Sequence, residues 1–352
     1  MYVKKLALRN FRNYEFCSVD FSPGTNVLYG HNGIGKTNIL ESVYFLSYAR
    51  SHRGAPENEL IRFGQERADI SSLISFEKSE KKLEISLFKN KKKRISVNRV
   101  AINKTSGLLD YLNVVMFCPE NLRIVKGSPG ERRKTVDMGL CRYGKKYFKT
   151  MYGYSSVLEQ RNKLLKEKPD SDSLEIWTEQ LASYGAALCA QRKNYIDRLS
   201  EYAAKVHKDI CGEDLRLSYK CGINIGEYSE QRFLEELNRN LEKDKRFGVT
   251  VYGCHRDDFK IFINEYDTKA YASQGQQRTA AISIKMAELK MLADFYGEMP
   301  VLLLDDVLSE LDEYRQEYIL KSINDAQVII TCTDTGKFSG MEGVNMINAE
   351  KL

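Results

Sequence analysis

Apolar and polar residues alternate through 2–102, where Leu83, Ile85 and Leu87, then Ile95 and Val97, are each separated by one polar residue. That period of two belongs to strands with a single buried face, and the polar turns between such runs predict hairpins. One helix interrupts them: after Lys36, the residues Ile39, Val43 and Leu46 fall at i, i+4 and i+7, so one face is apolar. From 119 to 244 alternation fades and charges recur at helical spacing, as in GERRKTVDMGLCRYGKKYFKTMYGYSSVLEQRNKLLKEK. Trp177, Leu181, Tyr184 and Leu188 form a second helical stripe, predicted to pack as core, with Ser173 as N-cap and 169–173 as a hinge between helices. After Phe247 the order becomes strand and loop, helix 277–292, buried strand 301–304, helix 311–323 and strand 327–331.

These segments predict an α/β fold whose head is assembled from both ends of the chain, 1–118 and 247–352, with a β-rich N-terminal lobe. A helical arm, 119–246, is inserted in its middle. The 352 residues suit two units, and 42% hydrophobic with 29% charged residues is an ordinary globular balance. No run approaches the ~18 apolar residues of a membrane span, and the start, MYVKKLALRNFRNYEF, has no signal-peptide block. The expected location is therefore the cytoplasm. The eight cysteines show no CxxC pair and read as reduced thiols. A net charge of +6 mildly favours an anionic partner.

The strongest local pattern is GHNGIGKT, covering Gly30, His31, Asn32, Gly33, Ile34, Gly35, Lys36 and Thr37, followed by Asn38. It fits GxxxxGK[ST] between an apolar run and a helix, the context a phosphate-binding loop needs. Glycines let successive N–H groups face phosphate oxygens, and the helix N-terminus adds partial positive charge. Lys36 is expected to reach the β and γ phosphates of ATP, and Thr37 to bind Mg²⁺. The run VLLLDD supplies the carboxylates: Asp305 for Mg²⁺, from a neighbouring strand, and Asp306 to polarise the attacking water. Lys36, Asp306 and Ser273 are the candidate catalytic residues.

ASQGQQRT, 272–279, precedes VLLLDD and leads into a helix. It resembles the signature of ABC-type ATPases, in which Ser273 and Gly275 match the residues that close over a γ-phosphate held by a second protomer. As a bare pattern, a helix N-cap explains the serine equally well. Ser309-Glu310-Leu311-Asp312 resembles the D-loop of the same class and also reads as an N-cap. QVIIT then leads to Cys332-Thr333-Asp334, where ABC transporter ATPases carry a switch histidine; its absence points to Thr331 or Thr333 as a γ-phosphate sensor.

Taken in order, LALRNFRNYE, GHNGIGKTNILE, CPENLRIVKGSPGERRKTVD, YGCHRDDF, ASQGQQRTAAISIKMAEL and LLLDDVLSELD resemble the RecF family over nearly the whole chain. The resemblance implies an ABC-type P-loop ATPase head, slow ATP hydrolysis coupled to opening of an ATP-dependent homodimer, and binding to duplex DNA near gaps, with single-stranded DNA a further candidate. It also implies cooperation with RecO and RecR, nucleoid association and no membrane partner. By this likeness the site comprises Asn32, Gly33, Gly35, Lys36, Thr37 and Asn38, then Ser273, Gly275 and Gln276, then Asp305 and Asp306.

Other residues stay open between two readings. His255, Arg256 and Asp257 lack a nucleophile beside them and read as structural or interfacial more than catalytic. The runs Lys89–Arg94 and Arg132-Arg133-Lys134 suit either DNA phosphate or a solvated turn. The alternative functions are an ATPase subunit of a transporter and an SMC-like ATPase not acting at DNA gaps. The former is expected to carry the switch histidine, and SMC proteins need a far longer coiled coil than the middle segment supplies.

Overall fold

The computed structural model describes residues 1–102, 105–167, 172–308, 311–322, 326–336, 338 and 343–352. The chain forms two compact units, Met1–Asn121 with Leu289–Leu352, and Leu122–Glu288. Segment 247–288, which the sequence assigns to the head, belongs to the middle unit. The reason is strand pairing: Asp258–Ile263 lies antiparallel to Leu215–Lys220, a strand inside the stretch that reads as purely helical.

The first unit holds two sheets. One is antiparallel and six-stranded, in the order Tyr14–Asp20, Tyr2–Phe11, Arg67–Phe76, Ser79–Phe88, Lys91–Val97 and Val100–Ala101. Leu83, Ile85, Leu87, Ile95 and Val97 form its buried face, as alternation requires. The other is five-stranded and parallel, in the order Asn345–Asn348, Thr25–Tyr29, Val328–Cys332, Val301–Asp305 and Val114–Phe117. Val301 to Leu304 are fully buried, the pattern of a strand covered on both faces.

Helix Lys36–Tyr48 is buried nearly all round, Leu40, Ser42 and Phe45 as fully as Ile39, Val43 and Leu46. The expectation of one apolar face falls short because the helix packs against strands of both sheets. Its Glu41, fully buried, is matched by Arg12, whose Nε and Nη2 donate to it at 2.8 and 2.9 Å. Burial opposes ionisation, yet the bonds from Arg12 and Ser51 hold this carboxyl below its ordinary range. Helix Glu313–Lys321 is capped by Asp312, which accepts from the Arg315 N–H at 2.9 Å. Ser309, Glu310 and Ile323 lie outside the described residues.

The second unit is built on helices Pro129–Cys141, Lys145–Glu167, Ser173–Cys211 and Glu230–Arg239, with a three-stranded sheet of Leu215–Lys220, Asp258–Ile263 and Tyr266–Asp267. Leu181, Leu188, Cys189 and Phe233 lie in its core, and Trp177 packs against them, but Tyr184 is 39% exposed. Small residues set the face instead: a Cβ on Gly185 would come within 2.5 Å of the Phe233 ring. Helix Ser173–Cys211 takes Asp172 as its N-cap, so Ser173 is its first residue; 169–171 of the expected hinge lie outside the described residues.

Several charges of the middle segment are internal. Fully buried Arg161 donates to Asp244 at 2.8 Å, Thr178 at 2.9 Å and Thr250 at 2.6 Å, and Arg142 donates to Glu288 at 2.8 Å. Losing one partner of such a pair strands a buried charge, at about 3–5 kcal/mol. No helix among the described residues is long and apolar enough to cross a membrane.

Candidate nucleotide site

Strand Thr25–Tyr29 runs into the glycine-rich loop, which turns into helix Lys36–Tyr48 at Gly35, whose φ of 115° is left-handed. A Cβ there would stand 2.7 Å from both Asn13 Nδ2 and the Tyr14 hydroxyl, so glycine is required for space as well as for conformation. Asn13, in the turn between the first two strands, braces the loop: its Nδ2 donates to Ile34 O at 2.9 Å, and its Oδ1 accepts from Asn38 Nδ2 at 2.8 Å. Lys36 Nζ donates to the carbonyls of Gly30 at 2.6 Å and His31 at 2.9 Å, so the ammonium lies across the loop. The His31 side chain faces solvent, and its backbone N–H donates to Glu350 at 3.3 Å.

Asp305 ends its strand 7% exposed, and its Oδ1 accepts from the hydroxyls of Thr37 at 2.8 Å and Thr331 at 2.9 Å. The sequence suggests a neighbouring strand for this carboxylate. Instead Val328–Cys332 intervenes between it and the loop strand, and Thr331 fills the gap. Burial pushes the Asp305 carboxyl above the ordinary range, against the lowering effect of the two hydroxyls. Asp306 adopts a left-handed φ of 52°, and its N–H donates to Thr331 Oγ1 at 2.9 Å. A non-glycine residue held there costs about 1–3 kcal/mol, a strain found at functional turns. Of the two sensor candidates, Thr331 makes these contacts and Thr333 is exposed.

Asn32, Gly33, Gly35, Lys36, Thr37, Asn38, Asp305, Asp306 and Thr331 line one cavity of about 250 Å³, together with Arg53. Gly30, His31 and Ile34 do not line it and shape the loop behind it. Backbone N–H groups and two cations suit an anion, while two carboxylates and two hydroxyls suit a hard cation. Arg53 and Asn13 went unseen in the sequence because each comes from a turn with no periodicity; only the spacing of the loop marks this region.

Ser273, Gly275 and Gln276 belong to the other compact unit, at the start of helix Gln274–Tyr296. Ser273 Oγ accepts from the Gln276 N–H at 3.2 Å and Gln276 Oε1 accepts from the Ser273 N–H at 3.0 Å, a reciprocal cap. Of His255, Arg256 and Asp257, Asp257 is buried, His255 half-buried and Arg256 exposed. His255 contacts the Tyr154 hydroxyl at 3.0 Å and Thr250 O at 2.9 Å, and burial lowers its pKa to about 4. Asp257 accepts from Arg192, Tyr219 and Gly222.

Of the basic runs, Arg132 is locked in a bidentate pair with Asp258 at 2.6 and 2.9 Å, and Arg133 donates to Asp257 O. Arg133 is half-buried and Lys134 exposed. In the hairpin Lys89–Arg94, Lys89 and Lys93 pair with Glu66 and Glu57, while Lys91 and Lys92 face solvent.

The family model described as the RecF/RecN/SMC N terminal domain matches residues 2–351. DNA replication and repair protein RecF of Clostridium botulinum strain ATCC 19397 is 44% identical over 337 residues, 95% of this chain and 93% of that protein. Its counterpart in Clostridium beijerinckii is 43% identical over 350 residues, covering 98% and 94%. A solved structure of the recombination mediator protein RecF with ATPrS, in the RecFOR pathway, superposes with a TM-score of 0.91 at 38% identity, over 99% of this chain and 96% of that one. The Smc head domain of Pyrococcus furiosus shares the fold, with a TM-score of 0.56 at 16% identity over 98% and 93%.

Gly35→Ala is expected to abolish nucleotide binding while leaving helical circular dichroism intact, because the added methyl displaces the Asn13 brace. Isothermal titration with wild-type affinity would contradict that account of the loop.

Proposed function

The chain belongs to the RecF/RecN/SMC N-terminal domain family and within it to the RecF proteins, and from that premise we propose that it is an ATP-hydrolysing switch of recombinational DNA repair. The carrying observation is the Asp305 carboxylate, joined to Thr37 and Thr331 in one cavity with the glycine-rich loop and Lys36. ATP enters with its phosphates on the loop N–H groups and on Lys36. Thr37 and Asp305 would hold Mg²⁺, since a hydroxyl and a carboxylate oxygen already 2.8 Å apart are the hard donors it takes. Bound there, the cation neutralises phosphate charge. Asp306 orients the attacking water, its carboxylate set by the left-handed turn.

Ser273, Gly275 and Gln276 act in trans, over the γ-phosphate held by a second copy. The support is their place at the start of a long helix, whose N-terminal dipole favours an oxyanion. ATP thus joins two chains, and slow hydrolysis parts them. The RecF likeness supports duplex DNA near gaps as the partner, with single-stranded DNA also in reach, together with RecR, RecO and a cytoplasmic, nucleoid-associated location.

The acid limb of hydrolysis depends on Asp305. Only the carboxylate holds a cation, and burial raises the Asp305 pKa in the cation-free chain, so protons compete with Mg²⁺ and activity at limiting Mg²⁺ falls as pH drops. Thr331→Val removes a bond that favours the charged form, and should move that limb up by about one pH unit, the worth of one charge-assisted bond. An unchanged pH–rate profile would refute the coupling.

DNA binding is tested at fixed salt on duplex and gapped DNA, with and without ATP. ATP should tighten wild-type binding, and Lys36→Ala should lose that response. Absence of DNA binding under every condition would overturn the repair function while sparing the ATPase.

A further inference from the structure

Three cysteines far apart in sequence meet inside the second unit. Cys189 lies in the long helix Ser173–Cys211, Cys221 just beyond strand Leu215–Lys220, and Cys254 opens the short 3-10 turn Cys254–Arg256. The Cys189 sulfur stands 2.9 Å from that of Cys254 and 3.5 Å from that of Cys221, and all three are free thiols. Cys189 and Cys254 are fully buried. The carboxylate of Asp257, 1% exposed, comes within 3.9 Å of the Cys189 sulfur. The ligand atoms of Cys189, Cys254 and Asp257 all lie within 4.8 Å of one another; bonds of about 2.3 Å to a tetrahedral zinc place two sulfurs about 3.8 Å apart, so Cys189 and Cys254 would part from 2.9 Å on loading.

Thiols are weak hydrogen-bonding groups, so the meeting of three of them beside a buried carboxylate gains little from their polar contacts. Asp257 is also aimed. Its Oδ1 accepts from the Gly222 N–H at 2.7 Å, and its Oδ2 from the Tyr219 hydroxyl at 2.5 Å and Arg192 Nη1 at 2.7 Å. Oδ1 also accepts from the Cys189 thiol at 4.0 Å, a weak contact that a cation between sulfur and oxygen would replace. Partners of this kind orient a ligating group in metal sites.

We infer that Cys189, Cys254 and Asp257 form a structural site for a thiophilic divalent cation, with zinc the fit and Cys221, beside Cys189, recruited as the fourth ligand by a turn of its side chain. With Cys221 turned in, three thiolates and one carboxylate would complete a tetrahedral set with no open position, the mark of a structural ion. Arg192 supplies a positive charge against the anionic cluster. Burial holds the Cys254 thiol above its ordinary range, so loading must release protons. The bound ion ties the middle of the long helix to a strand end and to the turn that opens Asp258–Ile263. It makes no use of the nucleotide site and stands or falls without it.

The full-length chain, purified under reducing conditions from zinc-supplemented cells, should carry about one zinc per chain by elemental mass spectrometry. Cobalt added to the stripped chain should give sulfur-to-cobalt charge-transfer absorption. Cys221→Ser, at the half-buried position, should lower zinc affinity by about tenfold or more, and Cys254→Ser should do the same. Should the variants aggregate, the wild-type cobalt titration decides alone. A wild-type chain with neither zinc nor charge-transfer bands, a mass two hydrogens lighter from a disulfide, or a folded Cys221→Ser chain with unchanged zinc affinity would each overturn the site.

Discussion

A single buried carboxylate oxygen organises the head. Asp305 Oδ1 receives the hydroxyls of Thr37 and Thr331, and through them three chain segments converge: the strand that ends in Asp305, the strand beside it, and the first turn of the helix after the glycine-rich loop. Burying a carboxylate is costly, and each bond from a hydroxyl to the charge returns about 1.5–3 kcal/mol. The raised pKa of Asp305 says that the return is incomplete. A cation beside Thr37 would favour the charged form further.

The same arrangement explains why Asp306 is strained. Its N–H donates to Thr331 Oγ1, and its backbone is left-handed immediately after the strand, a conformation that costs a non-glycine residue. Two adjacent aspartates are thereby given different environments, Asp305 buried and hydroxyl-bound, Asp306 exposed. Adjacent acids with different surroundings are suited to different tasks.

Much of this was legible in the sequence, for reasons that can be named. GHNGIGKT demands its conformation through glycine alone, and VLLLDD reads as a buried strand because nothing else in a globular chain needs so unbroken an apolar run. What escaped was relational. Nothing in QVIIT says that its strand inserts between the loop and Asp305, so Thr331 could be named only as one of two sensors. Arg53 and Asn13 come from turns, where no periodicity marks a function. In the middle segment, helical spacing concealed the strand Leu215–Lys220, and nothing in that spacing marked Arg132 and Arg161 as internal partners of Asp258 and Asp244. The cysteines carried no signal at all, since their proximity depends on three elements packing together.

The central claim is that the cavity around Asp305 and the Ser273 segment serve one nucleotide from two chains. Sedimentation velocity of Asp306→Asn with Mg²⁺ and ATP, alongside the same protein carrying Ser273→Arg, tests it most directly. A nucleotide-dependent dimer in the first and a monomer in the second is the predicted result. A monomer in both, or a dimer indifferent to Ser273, would contradict it.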